Sequence, residues 1–351
     1  MTSKRVLIYE HILGGGLFAR GPEQAAQLAP EGWAMLWAAV EDFASLPGVQ
    51  VQFLWDRHVS GRQPPRAEQV EPVLVDSPEH SLQTLLRLAR EADAVLLVAP
   101  EIGQVLAELV RQVEKTGALL LGPPASMVEL TSDKDQTAAY LATCGVAVPP
   151  GVVIRQGGQL PEDFPRPAVL KPLDGAGCLG IRRVDSSGWT PTPVQAPLRA
   201  EPLVPGIPAS VAILSGGPAA VLCPPCRQLV RWNHSAHYEG GEYPLPEPLA
   251  TRARKLATAA AAAFPQARGY WGVDLVLGPA PDGSQDYLIE INPRLTTSYI
   301  VLRRACWGEL AGAIWDAAAG RSVQVQFDSL PRRFTPGGRI FEDLPAAEEP
   351  L

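Results

Sequence analysis

Charge is scarce in this sequence, and basic charge is the scarcer kind. Of 351 residues 19% are charged, with 30 Lys and Arg against 37 Asp and Glu, a net charge of −7. No Lys/Arg-rich stripe offsets that balance. Nucleic acid is held by neutralising its phosphates, so a nucleic-acid partner is disfavoured. Cysteine is sparse too: five, an odd number in a long chain, make no disulfide framework, and reduced thiols are expected. No apolar run approaches the roughly 20 residues that span a bilayer. The stretch Val6–Tyr9 stops at Glu10 and His11, short of the about 7–15 apolar residues of a secretory signal. A cytoplasmic protein with no membrane partner is the expectation. A G-x-S-x-G nucleophile elbow is absent, which argues against serine hydrolysis.

What is present is an alternation of short apolar runs with longer periodic ones. Strands are expected at 5–9, 49–55, 94–98 and 118–121, with helices at 33–43, 82–89 and 105–113 between them. That order implies βαβ units and a parallel sheet. Gly14-Gly15-Gly16 follows the first strand without the G-x-G-x-x-G spacing, and it faces the crevice at the carboxyl end of such a sheet. From about residue 129 the texture changes. Ser132 is expected to cap a helix to about Cys144, short β-rich runs follow, and a helix over 248–264 precedes apolar strands at 271–277 and 286–291. A last helix is expected over 300–319 and a loose tail beyond Ser329. The expected units are 1–128, 129–205, 206–328 and the tail 329–351, of mixed α/β and α+β class.

The chemistry gathers late in the chain. Asp274 sits inside the apolar strand Gly272–Leu277, and the run Leu288–Arg294 embeds Glu290 and Asn292 on one face by the two-residue period of a strand. Two carboxylates and an amide oxygen on adjacent strands are a hard-oxygen set suited to Mg²⁺. Lys171 ends an apolar strand before the small-residue loop Asp174–Gly180, whose glycines let backbone N–H groups approach a polyphosphate. Lys134 opens a helix, and Glu201–Gly206 reads as a strand running into a hinge beside a flat ring.

In this order the elements resemble the ATP-grasp superfamily, over roughly residues 130–320. The resemblance implies the ATP-grasp fold with an N-terminal parallel-sheet domain, and ATP clamped between two lobes. It implies that Lys134, Lys171, Gly175, Ala176, Gly177, Glu201 and Leu203 bind ATP. Asp274, Glu290 and Asn292 would hold Mg²⁺, with Mn²⁺ the alternative, and Arg294 would act with Lys171 at the transferred group. The acid that often follows the hinge glycine is replaced near Ile207-Pro208, which puts the ribose contact in doubt.

At finer grain the chain is similar to the tyramine–glutamate ligase branch, on Tyr9-Glu10-His11, Pro205–Val211 and Glu290–Tyr299. That likeness implies amide formation through an acyl phosphate, with Glu10, Gly15, Thr296 and Thr297 near the substrate and Tyr299 as a further pocket residue. Small-molecule carboxylate and amine partners follow, and a homodimer is left open. The base for the amine stays open among Glu10, His11, His234 and His237. Cys223 and Cys226 with His234 and His237 have zinc-ligand chemistry but fit no trusted zinc spacing. The competing class is a non-catalytic sensor that binds ATP or another ligand, or a ligase for a different pair of substrates.

Overall fold

A computed structural model describes residues 3–16, 22–185 and 194–342. Strands Lys4–Glu10 (β1), Val49–Asp56 (β2), Val70–Val75 (β3), Ala94–Val98 (β4) and Leu119–Leu120 (β5) form one parallel sheet in the order β3-β2-β1-β4-β5. The alternation within β1 decides which core each residue joins. Val6 and Ile8 pack with Leu36 and Phe43 of helix Pro22–Ser45 (α1), while Leu7 and Tyr9 pack with Leu85 of Pro78–Ala89 (α2) and Val110 of Val105–Glu114 (α3). Both faces are thus covered, as a parallel sheet requires. Chain order reverses between β1 and β4, so the crevice at their carboxyl ends is the expected ligand position.

Helices Ala125–Thr131 (α4) and Lys134–Thr143 (α5) lead into a small antiparallel sheet. The junction corrects the sequence reading: Asp133, not Ser132, caps α5, accepting the Asp135 and Gln136 N–H groups at 2.9 Å. Ser132 instead closes α4. The small sheet runs Val152–Ile154 (β6), Leu198–Pro202 (β9), Ala168–Pro172 (β7), Arg182–Val184 (β8) in that spatial order.

The large sheet contains Ile207–Ser215 (β10), Val221–Leu222 (β11), Cys226–Trp232 (β12), Ala236–Tyr243 (β13), Gly269–Leu277 (β14) and Tyr287–Asn292 (β15). Helix Leu249–Ala263 (α6) covers one face through Ala250, Ala253, Ala257 and Ala260, a stripe of small residues at helical spacing. The helix expected over 300–319 is two, Tyr299–Ala305 (α7) and Leu310–Ala318 (α8). Between them Cys306–Trp307 (β16) pairs with Gln326–Phe327 (β17), and Gly308 turns at φ 111.

The segment after Ser329 is not loose as far as Glu342. Arg332–Phe334 (β18) pairs with β13 and Ile340–Phe341 (β19) with β18. Gly240 and Gly241 admit it: a Cβ on Gly241 would lie 2.6 Å from the Phe334 ring, which is 1% exposed. The rest of the expected tail, 343–351, lies outside the described residues. Among them no helix is long and apolar enough to cross a membrane.

Candidate active site

The carboxylate pair is set by strand register. Asp274 on β14 stands opposite Glu290 on β15, and Gly272 opposite Asn292. Cross-strand partners share a face, and residues two apart share it too, so all four positions look into one cleft. Asn292 Nδ2 donates to one Asp274 oxygen at 2.9 Å and Gln228 Nε2 on β12 to the other at 2.9 Å. Burial pushes the Asp274 carboxyl up to about 7, and the charge of Glu290 adds to it. Two carboxylates this close strain against each other's charge. With the amide oxygen of Asn292 they make a donor set that fits a small divalent cation.

Two lysines reach the cleft, one from a helix and one from the small sheet. Lys134, the first residue of α5, lies 2.7 Å from Glu290 Oε1 and donates to the Gly175 carbonyl at 3.1 Å. Burial opposes its charge, but the Glu290 carboxylate carries its pKa above the ordinary lysine value. Lys171 on β7 is 3% exposed and lies 2.6 Å from Glu201 on β9. Burial lowers its pKa. Glu201 also receives Arg199 Nε at 2.6 Å, and Arg199 reaches Asp135 and, at 3.2 Å, the Pro149 carbonyl.

The glycine-rich loop is pinned from three directions. The Leu173 carbonyl accepts the Lys134 N–H at 2.8 Å, and the Asp174 carboxylate accepts the Gly103 N–H at 2.7 Å. Gly177, at φ 62, comes down on α1, where a Cβ would meet Leu28 at 3.3 Å and Glu31 at 3.6 Å. Cys178 adopts the same left-handed backbone at φ 62, and burial raises its thiol to about 12.

The space enclosed has two compartments that share Cys178, Gln228, Tyr238, Asp274 and Glu290. One is polar and adds Glu31, Lys134, Gly175, Ala176, Gly177, Arg294, Thr296 and Thr297. The other is largely apolar, walled by Val169, Val204, Val230, Trp232, Leu275 and Ile289 with the hinge Glu201–Gly206 along one side. Arg294 ties the large sheet to the N-terminal domain: its Nε lies 2.9 Å from Glu101, which follows β4 in the crevice of the parallel sheet.

The structure therefore brings together Lys134, Lys171, Gly175, Ala176, Gly177, Glu201, Asp274, Glu290, Asn292, Arg294, Thr296 and Thr297. Leu203 lines the apolar compartment, but its N–H is spent on the Pro167 carbonyl at 2.8 Å. Glu10 is 2% exposed and accepts the Leu13 N–H at 2.8 Å beneath Gly32, so it caps the turn after β1 instead of lining the cleft. Burial pushes its carboxyl up to about 7. Gly15, at φ 91, packs on Val75 and Ser81 and is not among the cleft residues either. Tyr299 is fully buried and donates to Asp42 of α1, which makes it a core residue. His234 and His237 flank the β12–β13 turn and His11 meets Tyr9 Oη at 3.1 Å; none of the three lines either compartment. Cys223 and Cys226 are buried in the large core. Sequence reasoning missed Glu31, Glu101, Gln228 and Tyr238. Only Glu101 left a signal, an acid just past an apolar parallel strand.

Residues 131–298 match the family model described as the ATP-grasp domain, and residues 49–128 the one described as the pre ATP-grasp 3 domain. None of the curated proteins matches the sequence. Among solved structures the chain is similar to an ATP-grasp superfamily protein of Archaeoglobus fulgidus at 22% identity and TM-score 0.69, covering 95% of this chain and 92% of that one. It is similar to an L-amino acid ligase of Bacillus licheniformis at 18% identity and TM-score 0.63, covering 91% and 75%. The N5-carboxyaminoimidazole synthetase of Staphylococcus aureus, complexed with ADP, aligns at 13% identity and TM-score 0.63, covering 95% and 83%. At these identities the likeness establishes the ATP-grasp fold.

Proposed function

From the match of residues 131–298 to the ATP-grasp domain and of 49–128 to the pre ATP-grasp 3 domain, we propose that this chain is an ADP-forming carboxylate–amine ligase of the ATP-grasp superfamily, dependent on ATP and Mg²⁺. The observation that carries this reading is Lys134, whose ammonium touches both the glycine-loop carbonyl of Gly175 and the Glu290 carboxylate. One cation thus joins the part that would cover a polyphosphate to the part that would hold its metal.

The adenine ring would enter the apolar compartment beside the hinge, and the phosphates would extend toward Lys171 and Lys134. Asp274, Glu290 and Asn292 would hold Mg²⁺, or Mn²⁺, which when bound neutralises phosphate charge that opposes attack by an anion. Arg294 is steadied by Glu101 and presents a planar fork to the acid substrate and to the acyl phosphate it becomes. The loop 175–180 keeps water from that reactive species until the amine arrives. Its contacts with Gly103 and α1 support such closure.

For the substrates we propose glutamate, activated at its γ-carboxylate, and tyramine or a related aromatic amine. The hydroxyls of Thr296 and Thr297 in the polar compartment support a polar acceptor, and the likeness to an L-amino acid ligase supports amino-acid substrates. The test is a matrix of amino acids against amines, read as ADP release and amide mass. Turnover confined to unrelated pairs would sink the glutamate–tyramine assignment alone. Bound ATP with no ADP under any pair would replace the ligase with a sensor.

A further inference from the structure

The proposed reaction needs a group that receives the amine as an ammonium ion and takes its proton, and the histidines considered for it lie outside the cleft. Among the described residues, every carboxylate at the polar compartment but one holds a cation or two side-chain amides. Asp274 holds Gln228 and Asn292, Glu290 holds Lys134, and Glu101 beside them holds Arg294. The remaining one belongs to Glu31, which reaches the cleft from α1 in the N-terminal domain.

Its setting is specific. The Thr297 hydroxyl donates to Glu31 Oε1 at 3.2 Å and anchors that oxygen. The second oxygen faces the loop at Gly177, 3.6 Å from where a Cβ on that glycine would stand. Arg294, the residue proposed to hold the acyl phosphate, is near enough for its charge to bear on Glu31. An ammonium seated on Glu31 Oε2 would therefore lie under the closed loop, beside the activated acyl group.

We propose that Glu31 is the amine-binding residue and proton acceptor of this site, and that its ligand is a primary ammonium. The inference rests on the ligase reading above. Glu31 takes one proton from the ammonium. The freed nitrogen lone pair forms the C–N bond at the acyl carbon, and the C–O bond to phosphate breaks with its electrons leaving on phosphate. The second nitrogen proton departs with that phosphate, giving a neutral amide, inorganic phosphate and protonated Glu31, which returns its proton to solvent. Burial raises the Glu31 carboxyl above its ordinary value, while Arg294 and Thr297 hold it in check. Cys178 and Tyr238 are the other titratable groups that feel its charge.

The test uses the full chain and E31Q, which keeps the size and the Thr297 contact. With glutamate and ATP, hydroxylamine traps the acyl phosphate as a hydroxamate without needing a base, whereas tyramine must be deprotonated. E31Q should lower amide formed per hydroxamate formed by about 100-fold, and E31D should restore part of it. Equal losses of both products would make Glu31 structural and overturn the proposal, as would an unchanged ratio. If the wild type gives neither ADP nor hydroxamate, the ligase reading fails, and calorimetric titration of tyramine onto the complex with Mg²⁺ and a non-hydrolysable ATP analogue still decides Glu31. Weaker tyramine binding by E31Q supports the assignment there, and equal binding overturns it.

Discussion

Asp274 and Glu290 face each other across two antiparallel strands, and among the described residues no basic side chain bonds them both. The nearest charge relief, Lys134, bonds Glu290 alone. The Asp274 carboxyl sits at about 7, so ionising it costs the folded protein as pH rises from the ordinary carboxylate range to that point. A bound cation reverses this, because it needs the ionised form. The Mg²⁺-induced rise in Tm should thus be small on the acid side of about 7, grow through it and level off above. Thermal melts with and without Mg²⁺ across pH check this, and D274N should flatten the dependence.

Replacing Glu290 should remove chemistry before it removes structure. E290Q is expected to cost at least about 100-fold in turnover, the scale of a lost transition-state charge stabiliser. Its melting temperature should stay close to that of the wild type, since the amide oxygen of the introduced glutamine can still receive Lys134. Steady-state ADP release and a thermal melt on the same preparation separate the two effects.

The Lys171–Glu201–Arg199 cluster predicts an asymmetry. K171A leaves Glu201 with Arg199 at 2.6 Å, so the fold should survive while ATP affinity falls by about 10-fold or more, on the order of a lost charge-assisted contact. E201A instead strands the buried Lys171, while Arg199 keeps Asp135, and should destabilise by about 3–5 kcal/mol. Calorimetric ATP binding and denaturant unfolding are the two measurements.

Asp174 holds the loop to the N-terminal domain through Gly103 N–H. D174A should release that end, raise amide exchange across 174–180 in the absence of nucleotide and weaken ATP by a factor of a few, below the roughly 1.5–3 kcal/mol of a hydrogen bond to a charged group because only the loop's restraint is lost. If exchange in the loop matches the wild type, the contact does not restrain it.

At the far edge of the large sheet, F334A should cost about 3–5 kcal/mol, as truncation of a fully buried aromatic does. A loss below about 1 kcal/mol would mean that β18 adds little to the core.

The parts of this architecture visible in the sequence were those written in short periods. Val6–Ile8 and Ala94–Val98 announce buried strands by composition, and Glu290 and Asn292 share a face because strands alternate. What escaped depends on contacts across long separations. Glu31 looks like any acid on a helix until Thr297 and Gly177 arrive around it. Glu10 sits in a motif that suggests substrate, yet the turn after β1 consumes its carboxylate. The chain after Ser329 reads as loose because Phe334 finds its pocket only where Gly240 and Gly241 leave a gap. Likewise the break between α7 and α8 follows from Gly308 and a partner strand that begins at Gln326.

The pairing of Arg294 with Glu101 has a consequence for how such a protein could be recombined. The arginine proposed for the reacting group comes from one matched region and the carboxylate paired with it from the other, 193 residues apart. A front domain borrowed from a relative would have to supply an acid at the mouth of the fourth strand, or the guanidinium would be left buried and misaimed. The two regions are separable as sequence families but not as interchangeable modules, and a chimera would reveal its mismatch at this one contact.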